Sequence, residues 1–298
     1  MDPVTHGLAG TVIYNLGFRK GSAFWVLILA SFAPDFDYIT RLWGADVFLR
    51  YHRGITHGIL ALFLVPLIIG VFFGRKRNFL YYTFLAFVAY AVHLLLDLMT
   101  QYGTRILSPL DWHQYALNLM FIIDPYVTLG LILCAIFCKI HKRKASLIAL
   151  STVVLFVCYA GGRYYLHGKT TEFLRQQLDE NTYRVCPLPN DFLRWWFVAK
   201  SGDHMKVGFA DLFSQRVCIQ ESYTLSSKDP FAERSKSTRV VRNFLYFARY
   251  PHVEVLREEE KTTVIWRELA FSFRAGEHFI AKVIFDRKGD MIDAYFRF

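Results

Sequence analysis

The chain has 298 residues with a formal net charge of +10, and 54% of them are hydrophobic. Its mean hydropathy is +0.24, and the long apolar runs all lie in residues 1–164, whereas residues 165–298 have the composition of an ordinary globular chain. No basic groove pattern or aromatic stacking motif accompanies the positive charge, so we exclude nucleic acid as a partner. The sequence predicts two domains: an α-helical membrane bundle over 1–164 and a small α+β soluble domain over 165–298.

The chain begins with two short apolar helices. They cover residues 3–17 and 23–33, and both are shorter than the ~20 residues that cross a bilayer without tilt. We therefore expect short, tilted or re-entrant segments, which are tolerated where the backbone is buried in protein. A mixed loop over residues 38–56 follows.

Further apolar runs complete the membrane domain. They cover residues 58–73, 79–98, 119–140 and 145–161. A polar loop with turn signals, residues 99–118, joins the second of these runs to the third. In total we predict about four to six membrane segments, some of them short or re-entrant.

Basic clusters divide these runs and predict the topology. They lie at residues 19–20, 75–77 and 139–144, each between two apolar runs. All three clusters should therefore lie on one side of the membrane, which the positive-inside rule identifies as cytoplasmic. The chain after Arg163 would then emerge on the outer side.

Residues that can bind a metal ion gather at the outer ends of the runs. His93 and Asp97 are four residues apart, so on a helix they share one face. Ionisable side chains in a membrane are costly unless they are paired, hydrated or bound to a metal. His52 and His57 flank Gly54, where a turn would let both imidazoles reach one centre. For any one of these residues alone, a structural hydrogen bond is the alternative.

The predicted metal ligands form one set of histidines and aspartates: His6, Asp35, Asp37, His52, His57, His93 and Asp97. Imidazole and carboxylate without thiolate suit zinc, manganese or iron, with zinc as the usual metal. One catalytic zinc takes three protein ligands and a water, so this set is large enough for two ions about 3.5–4 Å apart. We expect one or two divalent ions.

A weak internal repeat supports this arrangement. Thr5-His6-Gly7 and Thr56-His57-Gly58 each open an apolar run that leads to a basic cluster, and the next run ends at acidic or histidine residues. Two helical hairpins would each supply a histidine at the start and further ligands at the return. Chance similarity between apolar sequences is the alternative.

These motifs resemble a known family. Thr5-His6-Gly7, Pro34-Asp35-Phe36-Asp37, His52-Arg53-Gly54-Ile55-Thr56-His57 and His93-Leu-Leu-Leu-Asp97 are similar to those of the bacterial membrane-bound metal-dependent hydrolases, the YdjM-like inner-membrane proteins. The resemblance covers about residues 1–125, with Gly58 where the family pattern has Ser. It implies a multi-pass hydrolase of the bacterial inner membrane, with the site and the C-terminal domain on the outer face in our topology. A looser similarity links the His-x-x-x-Asp motif to zinc-dependent phospholipase C and P1 nuclease.

An enzyme of this kind would hydrolyse an ester, and the expected substrate is a phosphoester of a membrane lipid or lipid-linked molecule. Arg53 and Arg105 would hold its anionic group, because arginine contacts phosphate in a bidentate manner; contact with lipid headgroups is the alternative. Asp111 or His113 would act as general acid or orient a ligand. Asp124 precedes a proline and is instead expected to cap a helix.

Two other classes of function fit the same residues. Intramembrane histidine and aspartate also mark metal-ion or proton transporters, but those need ligands at mid-membrane and a route to both sides. The clustering of the candidate ligands at one end therefore favours an enzyme. The third class is a non-catalytic, metal-stabilised membrane scaffold whose tail binds a periplasmic partner.

The tail is predicted to be α+β. Residues 169–181 and 238–250 suit helices, and no catalytic motif is evident. Strands are predicted at six β-rich runs: 195–199, 206–213, 216–222, 264–273, 278–285 and 291–298. Cys186 and Cys218, the cysteines outside the apolar runs, could form a disulfide if the tail lies in an oxidising compartment; two unpaired thiols that pack in the core are the alternative.

Overall fold

The computed structural model describes residues 1–224, 229–274 and 276–298, apart from the side chains of residues 75–77. The chain divides into two compact units. The first unit consists of Met1–Asp37, Arg53–His167 and Pro187–Phe192, and the second consists of Tyr38–His52, Gly168–Cys186 and Leu193–Phe298. The predicted domain division into 1–164 and 165–298 stays a prediction.

The described residues form eight α-helices. In chain order these are α1 (Pro3–Asn15), α2 (Ala23–Phe32), α3 (Ala45–Tyr51), α4 (Ile59–Leu98), α5 (Pro125–Ile140), α6 (Ala145–Gln177), α7 (Pro230–Ser235) and α8 (Arg239–Phe247). A 3-10 helix, Ala33–Trp43, continues α2, and a single 3-10 turn, Ile55–His57, precedes α4. These two irregular segments carry several of the predicted site residues.

The long segment α4 folds back on itself. The ring centroids of Phe63 and Phe87 lie 5.6 Å apart, whereas a straight helix would separate such residues by about 36 Å. Its two arms, Ile59–Gly74 and Asn78–Leu98, therefore pack side by side. The break in the apolar pattern at residues 75–77 predicted this hairpin.

Three helical stretches of the described chain are long and apolar enough to cross a membrane: Ala23–Trp43, Asn78–Leu98 and Lys142–Gln177. A broken helical pair that meets at Gly58 would make a fourth. In the third stretch, Leu155 is 69% exposed, and such exposed apolar side chains suit contact with hydrocarbon. The helical membrane region is thus confirmed, while the number of crossings stays a prediction.

The crossing of α1 and α2 requires a glycine. A Cβ atom at Gly10 would lie 3.2 Å from the backbone oxygen of Leu27 and 2.5 Å from the hydroxyl of Ser31. Leu27 and Ala30 are completely buried and share one core with Ile13. This close approach brings the beginning of α1 to the same end of the unit as the end of α2.

Helix α5 begins later than the apolar pattern predicted, because Asp124 caps it. The Asp124 carboxylate accepts hydrogen bonds from the backbone N–H groups of Tyr126 at 3.1 Å and Val127 at 3.2 Å. The hydroxyl of Tyr159 on α6 donates to the same carboxylate at 2.7 Å. The predicted capping role of Asp124 is confirmed.

Helix α6 runs without interruption through a region where we predicted a span over 145–161 and a separate helix over 169–181. Gly161, Gly162 and Gly168 end the apolar run, but all three lie within the helix. Glycine lowers helix stability by only about 1 kcal/mol per residue, and no proline is present to stop the helix.

The second unit contains the strands. They are β1 (Thr182–Pro187), β2 (Arg194–Ser201), β3 (His204–Asp211), β4 (Arg216–Thr224), β5 (Pro251–Arg257), β6 (Lys261–Glu268), β7 (Ile280–Asp286) and β8 (Met291–Arg297). They form two sheets in the orders β1-β2-β3-β4 and β5-β6-β7-β8. The indole of Trp196 on β2 donates to the carbonyl of Leu269 at 2.9 Å. The predicted mixed α and β character of the tail is confirmed, although β1 and β5 were not predicted.

The predicted disulfide is wrong. Cys186 on β1 is buried, Cys218 on β4 is exposed, and both thiols are free. The two strands lie at opposite edges of one sheet, so three strand spacings separate them by about 14 Å. A disulfide needs Cα atoms within about 7 Å of each other.

Replacing the Asp124 cap should destabilise the helical unit. We expect Asp124→Ala to lower its free energy of unfolding by about 1–2 kcal/mol, because two N–H groups and the Tyr159 hydroxyl lose their acceptor. Asp124→Asn keeps a capping oxygen and should retain most of the stability. Thermal unfolding in detergent would measure both changes, and equal midpoints for Asp124→Ala and the wild type would contradict the assignment.

Candidate metal centre

Four buried side chains converge at one end of the first unit. Asp35, His57, His93 and Asp97 each offer a ligand atom, and these atoms all lie within 4.8 Å of one another. Nε2 of His57 lies 3.1 Å from Oδ2 of Asp97 and 3.6 Å from Oδ1 of Asp35. The two imidazoles approach through their Nε2 atoms at 3.3 Å. Nε2 of His93 is also 3.5 Å from Oδ2 of Asp97.

Three elements of the first unit supply this cluster. Asp35 lies in the 3-10 helix that continues α2, directly after Pro34, which interrupts regular helical hydrogen bonding. His57 ends the 3-10 turn that precedes α4. His93 and Asp97 lie one turn apart on the second arm of α4, as their spacing predicted.

Contacts at the Nδ1 atoms orient the two histidines of the cluster. Nδ1 of His93 lies 2.6 Å from the carbonyl oxygen of Ser31, an acceptor that assigns the proton to Nδ1. Nδ1 of His57 lies 3.1 Å from the hydroxyl of Thr56, which donates to Oδ2 of Asp37 at 2.8 Å. Each imidazole therefore turns the lone pair of Nε2 toward the cluster. Hydrogen-bonded partners of this kind fix metal-binding histidines in many proteins.

The facing atoms suit a divalent cation. With both protons on Nδ1, two imidazole lone pairs and two carboxylates meet in a buried space. This arrangement is unfavourable unless a positive charge lies among these atoms. Imidazole nitrogen and carboxylate oxygen are ligands of zinc, manganese and iron. The residues present therefore fit a metal ion.

The guanidinium of Arg53 contacts the carboxylate oxygen of Asp97 that does not face the two imidazoles. Its guanidinium donates to Oδ1 of Asp97 at 2.7 Å, to the hydroxyl of Thr100 at 2.9 Å and to the carbonyl of Tyr102 at 3.0 Å. Its backbone has a left-handed φ of 59°, and its N–H donates to Asp37 at 3.0 Å. A left-handed backbone costs a non-glycine residue about 1–2 kcal/mol. These contacts offset that cost and keep the guanidinium directed at Asp97.

His6 lies beside the cluster rather than among its four members. Its ring stacks on that of His93 with a centroid distance of 3.5 Å, and Nε2 is 3.2 Å from Oδ1 of Asp97. The amino group of Met1 also donates to this oxygen. The Asp97 carboxylate thus turns Oδ2 to the cluster, while Oδ1 contacts His6, Met1 and Arg53.

Two other predicted residues have different surroundings. His52 belongs to the second unit, where its ring stacks on Phe48 with a centroid distance of 4.5 Å. The backbone N–H of Arg105 donates to the carbonyl of Arg53 at 3.0 Å, and the residue is buried. Metal binding by His52 and substrate binding by Arg105 stay predictions.

Asp111 lies in the loop between α4 and α5. The backbone N–H of His113 and the hydroxyl of Tyr115 donate to its carboxylate at 2.8 Å and 2.7 Å. These hydrogen bonds lower the pKa of the Asp111 carboxyl below its usual value. The group is therefore ionised at neutral pH, the form that orients a ligand rather than the form that donates a proton. Its part in catalysis stays a prediction.

The sequence did not predict Thr56 and Ser31, whose oxygen atoms contact the Nδ1 atoms of the two imidazoles. Thr56 lies within the predicted His-Arg-Gly-Ile-Thr-His motif, so its hydroxyl could have been considered. Ser31 acts through its backbone carbonyl, which leaves no signal in the sequence. Gly58 also has a structural reason, since a Cβ atom there would collide with the backbone oxygen of Ser108.

The fold and the site together define a helical membrane protein with a buried histidine and aspartate cluster that could bind a metal ion. The model of the YdjM inner membrane protein family matches residues 1–169, which is more than half of the chain. The protein belongs to the YdjM inner membrane protein family. Residues 230–298 match the model of the YfhP C-terminal alpha/beta plait domain.

One curated relative is similar to this chain over much of its length. The uncharacterized protein YfhP of Bacillus subtilis (strain 168) is 25% identical over 218 residues. The match covers 68% of this chain and 66% of YfhP, so it spans slightly less than two thirds of that relative. No solved structure matches this chain.

Removing a central ligand should abolish metal binding. We expect His93→Ala to weaken metal binding by more than about 100-fold, since even the loss of a residue that only hydrogen-bonds to a metal ligand lowers metal affinity by about 10–100-fold. His204→Ala removes an exposed histidine of β3, outside the cluster, and serves as the matched control. Metal content after purification and competitive titration would measure the effect. Equal metal content in both variants and the wild type would contradict the site.

Asp37 should behave differently from a direct ligand of this cluster. We expect Asp37→Asn to weaken metal binding by about 10–100-fold while the saturated stoichiometry stays unchanged, because the residue orients His57 through Thr56. Thr56→Val should produce a change of similar size. Titration to saturation separates the two roles: a lower stoichiometry would make Asp37 a ligand, and unchanged affinity would remove it from the site.

Proposed function

We propose that the protein is an integral-membrane, metal-dependent hydrolase. Its reaction would be the cleavage of an ester, with a phosphoester of a lipid or lipid-linked molecule as the substrate class. The observation that carries this proposal is the convergence of two imidazoles and two carboxylates, lone pairs facing each other, within a helical membrane unit. Zinc is the expected metal, and manganese or iron would suit the same ligands.

The cluster itself would hold the metal, through Asp35, His57, His93 and Asp97. When bound, a divalent cation of this type lowers the pKa of water toward neutrality and polarises an ester oxygen. The number of ions, one or two, is part of the proposal. Two imidazoles and two carboxylates provide enough donor atoms for one catalytic ion, which requires three protein ligands.

The surrounding residues would keep these ligands in place. Arg53 restrains Asp97 by a direct hydrogen bond from its guanidinium, and Asp37 restrains His57 through the hydroxyl of Thr56. Preorganised ligands bind a metal more tightly and keep an open position directed at the substrate. We assign Arg53 a positioning role, since its guanidinium already contacts several protein groups.

A lipid substrate is supported by an apolar groove beside the cluster. The groove has a volume of about 320 Å³ and is lined by apolar side chains that include Ala33, Phe36 and Ile68. Ala33 and Phe36 flank Asp35 closely in sequence, so an acyl chain in the groove would bring its ester linkage toward the cluster. Phe36 is 62% exposed and Ile68 is 67% exposed.

The proposed topology is that of a multi-pass inner-membrane protein with its site and C-terminal domain on the outer face. Asp35 follows the last residues of α2, and Asp97 lies in the last turn of α4. Both are at the end of the first unit that carries the cluster. The basic residues at 19–20 and 139–144 follow helix ends at the opposite end. The positive-inside rule assigns that basic end to the cytoplasm.

Activity measurements on the purified protein in lipid nanodiscs would test the proposal. Metal-loaded wild type should hydrolyse at least one member of a panel of lipid phosphoesters and carboxylic esters. His93→Ala should lose at least about 1,000-fold of this activity, since the metal supplies several kcal/mol of transition-state stabilisation. His204→Ala, which removes an exposed histidine of β3, should retain it. Chelation should abolish the activity and added zinc should restore it.

Two results would contradict the hydrolase. One is turnover that survives in His93→Ala or after chelation, which would assign the reaction to a contaminant or to a metal-independent site. The other is a metal-loaded wild type that cleaves no member of the panel. The metal titrations remain informative in that second case, because they report on the site and not on the reaction.

A further inference from the structure

A second cavity lies at the opposite end of the first unit from the cluster. It has a volume of about 440 Å³ and lies between the C-terminal parts of α1 and α5 and the beginning of α2. Its polar wall consists of Thr11, Tyr14, Asn15, Arg19, Lys139 and Lys142. Three of these six side chains are cationic, and none of them is used in the proposed hydrolase.

The charge at this end is uncompensated. Arg19 donates to the side-chain oxygen of Asn15 at 3.3 Å, and among the described residues no carboxylate forms an ion pair with Lys139 or Lys142. The first unit contains no glutamate. Its aspartates all belong to elements at the other end: Asp2, Asp35, Asp37, Asp97, Asp111, Asp124 and Asp191. An anion would therefore meet attraction from three cations and no repulsion from neighbouring acids.

The rest of the wall is apolar. Phe24, Ala135 and Cys138 line the cavity beside the cations. The adjoining surface of α5 continues this character, since Ile132 is 37% exposed and Ile136 is 46% exposed. Inorganic phosphate would gain no binding energy from contact with these apolar side chains. An amphiphile would use both parts, because its phosphate would meet the cations while its chains follow the helix.

We propose that this cavity binds the phosphate headgroup of an anionic phospholipid. The acyl chains would lie along the exposed apolar surface of α5, and the headgroup would contact Arg19, Lys139 and Lys142. Basic pockets between helices at the membrane surface bind anionic headgroups in this manner, and long cationic side chains keep their charge at headgroup depth. The inference does not depend on the hydrolase, because it uses none of the residues of the cluster.

Native mass spectrometry of the full-length protein would measure the binding, with phosphatidylglycerol and phosphatidylcholine as probes. The triple variant Arg19→Gln, Lys139→Gln, Lys142→Gln should bind phosphatidylglycerol about 100-fold more weakly, since each cation near the membrane surface contributes about fivefold. A matched control, Lys20→Gln, Arg143→Gln, Lys144→Gln, removes the same charge from the same end without touching the cavity wall. It should bind at nearly wild-type affinity.

Three outcomes would overturn the proposal. An equal loss in both triple variants would show general attraction to the surface, and equal binding of phosphatidylcholine would show no selection for the anion. Displacement by inorganic phosphate at concentrations comparable to those of the lipid would show that the apolar wall plays no part.

A folding defect can be separated from loss of the site. Thermal unfolding midpoints of both triple variants should match the wild type. If the cavity variant is unstable, Lys139→Gln alone should weaken binding about fivefold, and Lys139→Arg should retain it. Loss in Lys139→Arg equal to that in Lys139→Gln would contradict a role for the charge.

Discussion

The cost of burying carboxylates among apolar helices is the constraint on which the first unit depends. Asp97 is completely buried, and an isolated carboxylate in such a place is strongly unfavourable. The contacts of Arg53 with Oδ1 of Asp97 offset part of this cost. Oδ2 of Asp97 instead faces two imidazole nitrogens that are oriented as acceptors. That second half of the carboxylate still requires a positive charge, and a divalent metal is the charge that the donor set suits.

Much of the helical architecture could be predicted because it follows from apolar periodicity and its interruptions. The basic residues at 75–77 could not lie inside a lipid-facing helix, so a hairpin was the natural expectation for α4. The boundaries of α5 and α6 depended on weaker local effects. Asp124 starts α5 because it captures two backbone N–H groups, and the glycines of α6 lower its stability without ending it. Strands β1 and β5 are edge strands that each pair with one neighbouring strand, and the stability gained from such pairing and packing is not reported by the local sequence.

The residues of the cluster could be predicted from the sequence, but the contacts that orient them could not. Residue type and membrane depth suggested Asp35, His57, His93 and Asp97, and the structure brings these four together. Asp37 was predicted as a ligand as well, and its carboxylate accepts a hydrogen bond from Thr56, whose hydroxyl lies 3.1 Å from Nδ1 of His57; metal binding by Asp37 stays a prediction. These contacts join residues that are far apart in sequence. They also depend on a left-handed backbone at Arg53 instead of at the neighbouring Gly54.

X-ray absorption spectroscopy of the metal-loaded wild type would test the central claim most directly, because it identifies the atoms bound to the metal. The account predicts nitrogen and oxygen neighbours at about 2.0–2.2 Å, with the multiple-scattering signature of two imidazoles. A sulfur neighbour at about 2.3 Å, which would direct attention to the buried Cys134 and Cys138, or a spectrum without imidazole would contradict it.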